Sequence, residues 1–145
     1  MLDRSAIAAR IPHQGDMCLL DRVVAWNESS IQCTASSHRR SDNPLRAGDR
    51  LGVATGIEYA AQAMAVHGGL LTGQGRPPRQ GYLASVRGVR FHTLHLDDQD
   101  ADLQIDAERV SGDARQVLYR FSVSAAGQAL LDGRAAVILD AEGLQ

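Results

Sequence analysis

One segment governs what this chain can fold into: GIEYAAQAMAVH at 56–67, which has helix-forming residues and almost no polar face to offer water. Ile57, Ala60, Ala61, Met64 and Ala65 recur at three- and four-residue spacing and make one apolar face. The opposite side is hardly more polar, so this helix is predicted to be buried nearly all round, with Gly68-Gly69 as its stop. Such a helix must be wrapped by the rest of the chain. The segments that could wrap it have the other period. Cys18–Trp26 and Ser30–Ser36 are rich in β-formers and flank a turn at Asn27-Glu28-Ser29. After the helix, Tyr82–Phe91 leads into His92–Leu96 and an acidic turn at Asp97–Asp100. Leu103, Ile105 and Ala107 alternate with polar residues, as do Val117, Tyr119, Phe121 and Val123; a turn at Ala126-Gly127 precedes Leu131–Leu139. Two strands, one buried helix and three or four antiparallel strands give an α+β fold, a curved sheet around a single helix.

At 145 residues the chain is expected to be one domain, 1–145. No apolar run approaches the ~18 residues of a membrane helix. Met1–Arg10 carries Asp3, Arg4 and Arg10 rather than a signal-peptide core, so a cytoplasmic, non-membrane protein is expected. Cys18 and Cys33 can build neither a disulfide framework nor a zinc site. Every basic residue is arginine, and the absence of lysine excludes Schiff-base chemistry and a Walker-type phosphate loop. A formal net charge of −2 with 4% aromatics argues against nucleic-acid binding. The charge is segregated: residues 36–90 hold eight arginines against three acids, and residues 91–145 four against ten. A basic middle suits an acidic partner or a phosphate-bearing ligand, or is simply a solvated surface. The acidic run Asp97–Asp102 lacks the glycine and terminal glutamate of an EF-hand, so no metal is expected there.

Three motifs then carry a resemblance. IPHQGDMCLLDRVV at 11–24 resembles the N-terminal signature of the hotdog-fold β-hydroxyacyl-ACP dehydratases. GIEYAAQAMAVHGGL at 56–70 resembles the start of their central helix, and GYLASVRGVRF at 81–91 the strand that follows it. Taken in order they span nearly the whole chain. The GIEYAAQ form is most similar to the 3-hydroxyacyl-ACP dehydratase subfamily of aryl polyene and xanthomonadin-type pigment clusters. The loop that holds the catalytic histidine in the fatty-acid enzymes reads SDNPLRAGDRLG here, with no histidine, as the pigment-cluster relatives generally show.

The resemblance implies a hotdog fold and loss of water from a 3-hydroxyacyl thioester to give a trans-2-enoyl thioester, in fatty-acid-like or aryl polyene synthesis. It implies no cofactor, an acyl carrier protein as the bearer of substrate, and a homodimer or a heterodimer with a related subunit. That chemistry needs a base for the C2 proton and an acid for the departing hydroxyl. His13 is the base candidate, with a structural hydrogen bond to backbone as its alternative role, and Glu58 the acid candidate. Thr55-Gly56-Ile57-Glu58 also reads as a capping box, which would explain Glu58 by helix initiation alone. Gln62, one turn on, is expected to orient Glu58 or a bound water, and backbone at Gly56 and Ile57 to polarise the thioester oxygen. Arg39, Arg40, Arg46, Arg50, Arg76 and Arg79 are expected to dock the carrier. His38 is read as a solvated loop residue, His92 and His95 as surface residues, and His67 as a residue of the last helical turn, favoured there as a cation. Two other classes stay open: a thioesterase on the same fold, and a non-catalytic partner subunit.

Overall fold

The alanine-rich segment forms the long helix that its composition predicts, α2 (Gly56–Leu71), and runs four residues past His67. Gly68-Gly69 does not stop it, because Leu70 beyond the pair still packs against the core. The computed structural model describes residues 1–71 and 81–139. A short helix, α1 (Arg4–Ala8), precedes the strands; the sequence reading had no element there. Asp3 caps it, accepting from the Ala6 N–H at 2.9 Å.

The strands are β1 (Arg22–Trp26), β2 (Ser30–Ala35), β3 (Gly81–Phe91), β4 (Leu103–Gly112), β5 (Gln116–Ala125) and β6 (Gln128–Leu139). They form one antiparallel sheet in the order β1-β2-β4-β5-β6-β3. His92–Leu96, expected to continue β3, instead makes an irregular passage, bridged at His95 to Gly52 and held by the His92 N–H on the Leu130 carbonyl at 2.9 Å. The alternation does what period 2 requires. Ile31, Cys33, Ile105, Ala107, Tyr119, Phe121 and Leu131 face the helix and are nearly inaccessible. Tyr59, Ala60, Ala63, Met64 and Val66 meet them from α2. Small helix residues allow the two layers to approach closely: a β-carbon on Gly56 would lie 2.5 Å from Leu131 Cδ2. This curved sheet around one long helix is the hotdog arrangement.

Two features of the layout bear on function. β3 stands at the sheet edge, and of residues 82–91 only Val89 is even half-buried. The long connection between β2 and α2 is welded in place. Ser37 Oγ donates to the Leu19 carbonyl at 2.8 Å and lies 2.8 Å from Tyr59 Oη. Asn43 donates to the Ser37 carbonyl at 2.9 Å and to Tyr59 Oη at 3.1 Å.

Candidate active site

Glu58 lies in the first turn of α2, and it does not close a capping box. Thr55 Oγ1 instead donates backward to the Gly52 carbonyl at 2.6 Å. The Glu58 carboxyl turns to His13, with Oε1 3.1 Å from Nε2. The two sequence-distant candidates thus come into polar contact as a close histidine–carboxylate pair. Their side chains are 26% and 36% exposed, so the pair is sheltered yet reachable. His13 Nδ1 is buried with no hydrogen-bond partner among the described residues.

The chain around His13 is held at several points. Gln14 Nε2 donates to the carbonyls of Ala8 at 2.8 Å and Ile11 at 3.2 Å, and Arg4 to that of Gly15 at 2.8 Å. A 3-10 turn at Gly15–Met17 then leads into buried Cys18, Leu19 and Leu20. Gln62 faces this segment rather than Glu58. Its Oε1 accepts from the Leu19 N–H at 2.9 Å, and its Nε2 donates to the Met17 carbonyl at 2.7 Å. At the helix start the Gly56 N–H bonds back to the Val53 and Ala54 carbonyls.

Four of the arginines expected to meet a carrier have partners within the chain. Arg39 reaches Asp102 at 2.7 Å, Arg40 reaches Asp42 at 2.9 Å, and Arg50 reaches Asp97 at 2.8 Å. Arg46 donates to the carbonyls of Arg40 and Asp49, at 2.7 and 2.6 Å. Asp97 also accepts from the Leu51 N–H at 2.8 Å, so the acidic turn braces the 37–51 connection. Part of the charge segregation seen in the sequence is therefore satisfied within the fold. Arg76 and Arg79 lie outside the described residues.

Two histidines differ from expectation. His38 is fully buried, not solvated; its Nε2 lies 3.0 Å from the carbonyls of both Gln99 and Ala101. Burial, aided by nearby Arg39, lowers its pKa. His67 is fully buried too, between Tyr119 Oη at 2.7 Å and the Asn27 carbonyl at 2.8 Å. Burial lowers its pKa and pushes that of Tyr119 up to about 12, so His67 is a neutral linker rather than a helix-end cation. His92 stays at the surface, 2.8 Å from Asp132. Among the described residues no His, Cys, Asp and Glu cluster could hold a metal ion.

The ApeP-like family model, described as ApeP dehydratase, matches residues 5–143. No curated protein sequence matches the chain. Among solved structures, the dehydratase heterocomplex ApeI:P from Xenorhabdus doucetiae superimposes with a TM-score of 0.81 at 22% identity, covering 94% of this chain and 91% of that one. A putative thioesterase from Silicibacter gives 0.67 at 11% identity, over 97% of this chain and 94% of that one. A hypothetical thioesterase with coenzyme A from Streptococcus pneumoniae gives 0.62 at 10%, over 83% and 86%. At these identities the structural likeness is one of fold.

Proposed function

Because the chain belongs to the ApeP-like dehydratase family, we propose that it removes water from a 3-hydroxyacyl thioester, with His13 and Glu58 moving the two protons. The observation that carries this reading is the 3.1 Å contact between His13 Nε2 and Glu58 Oε1, which joins residues 45 positions apart at a partly open helix start. Neutral His13 takes the C2 proton, and protonated Glu58 gives its proton to the C3 hydroxyl as the C–O bond breaks. The products are the trans-2-enoyl thioester, water, imidazolium and carboxylate. Direct contact lets the imidazolium hand its proton back to Glu58, which resets the pair. Two groups so close reach only one face of the C2–C3 bond, so the elimination is syn. The Ile57 N–H, at the positive end of α2, suits the thioester oxygen.

The substrate is carried by an acyl carrier protein in aryl polyene-type synthesis, as the family name suggests. The loop arginines meet that carrier by exchanging their internal partners for its acidic groups. A second hotdog subunit, a copy or a relative, covers the β3 edge; the ApeI:P heterocomplex gives a precedent for a related assembly. The test is turnover of 3-hydroxyacyl-carrier substrate by the chain, alone and with its pathway partner. Glu58→Gln is expected to reduce turnover about 10²-fold or more while leaving the melting temperature nearly unchanged. Full activity in Glu58→Gln would end the assignment and favour the partner-subunit reading. Release of free thiol without enoyl product would favour the thioesterase reading.

A further inference from the structure

We propose that Gln62 is a positioning residue for His13: through the backbone of Met17 and Leu19 it fixes where the imidazole stands relative to Glu58. The inference rests on the His13–Glu58 reading above. Gln62 is fully buried in a helix whose other buried residues are chiefly small or apolar. Burying a carboxamide without partners is costly, so its place there calls for an account. Both ends of the amide go to main chain of one segment, accepting from Leu19 at 2.9 Å and donating to Met17 at 2.7 Å.

That segment is the continuation of His13. Between His13 and Met17 the chain is wound into the 3-10 turn, with Met17 N–H donating to the Gln14 carbonyl and Cys18 N–H to that of Gly15, both at 3.1 Å. The turn is short and internally bonded, so anchoring its far end also limits the motion of His13. Gln62 lies one helical turn beyond Glu58. A single helix therefore sets both partners, one by its own backbone and the other by a tether one turn on. A leucine would fill the same space but leave the Met17 carbonyl and Leu19 N–H without these bonds, and the His13 lever free to shift.

The readout is the His13 imidazole nitrogen spectrum of the 15N-labelled chain, which needs no turnover. In the wild-type background Glu58→Gln should move the His13 Nε2 resonance. In a Gln62→Leu background that response should fall below half. Gln62→Glu supplies a second variant in case the leucine chain does not fold. A protonated carboxyl keeps one donor and one acceptor, whereas a carboxylate has no proton to give Met17. Its His13 response should therefore match wild type at about pH 5.5 and be lost at about pH 9, a pH dependence that mere space-filling would not produce. In the dehydration assay kcat of Gln62→Leu should drop about tenfold or more with KM nearly unchanged. An undiminished His13 response in Gln62→Leu, or a Gln62→Glu response equal to that of wild type at both pH values, would overturn the inference alone. No response to Glu58→Gln in the wild-type background would end the His13–Glu58 reading and this inference with it.

Discussion

His67 is enclosed by Tyr119 and Asn27, and His38 by the carbonyls of Gln99 and Ala101, with neither side chain in contact with solvent. Burial lowers both pKa values below the usual ~6.5. Between that value and the lower native one, the unfolded chain binds a proton that the native chain refuses. Stability should thus be at its plateau above about pH 6.5 and fall as the pH drops, by about 1.4 kcal/mol per pH unit for each histidine in that window. Urea midpoints at about pH 7.5 and about pH 5 should differ accordingly, and His67→Gln should remove roughly one proton's share of the slope. Equal midpoints would contradict the buried-neutral assignment. These two residues also show what a sequence conceals. His13 and Glu58 could be singled out from their motifs, and their meeting depended only on the order of elements. The state of His38 and His67 depends on carbonyls and a hydroxyl 40 to 63 residues away, which no local pattern encodes.

At the level of elements, the alternation of Ile31 and Cys33, Ile105 and Ala107, and Tyr119 and Phe121 made the sheet readable, because a one-residue slip would expose the whole apolar set. The boundaries were less readable. β1 begins at Arg22 rather than Cys18, since Leu19 is held by Gln62 and Ser37, and Cys18 by the Gly15 carbonyl, instead of by a strand partner. The β5–β6 turn seats Ala126 at φ 50° and Gly127 at φ 79°, a two-residue hairpin with a β-carbon in the left-handed region. Ala126→Asn should stabilise the protein by about 0.5–1 kcal/mol, seen as a higher thermal midpoint. Gly56 works in the opposite sense. Helix propensity favours alanine there by ~1 kcal/mol, but overpacking against buried Leu131 costs about 1–3 kcal/mol. Gly56→Ala should therefore be neutral to destabilising in the wild type, and clearly less unfavourable in a Leu131→Ala background. Double-mutant denaturation measures that coupling.

For the whole molecule the open question is what covers β3. Tyr82, Leu83, Val86 and Phe91 are 51%, 41%, 36% and 49% exposed on a strand with one edge unpaired among the described residues, a combination that folded chains rarely leave bare. With a second subunit on that edge, Leu83→Lys and Val86→Lys together should halve the mass seen by light scattering while the monomer keeps its melting cooperativity. An unchanged mass would place the interface elsewhere.

The strand order has one more outcome, in time rather than in space. β3 follows α2 directly in the chain, yet its partner is β6, the last described strand, made only after β4 and β5. On the ribosome, β3 must therefore wait while β4, β5 and β6 are synthesised, with its apolar side chains exposed and its partner strand not yet made. During that interval, some seconds at ~5–20 residues per second, it is the segment most in need of a chaperone. The surface proposed to receive a second subunit is thus completed late in synthesis, so stable assembly through it belongs to the finished sheet rather than to the growing chain.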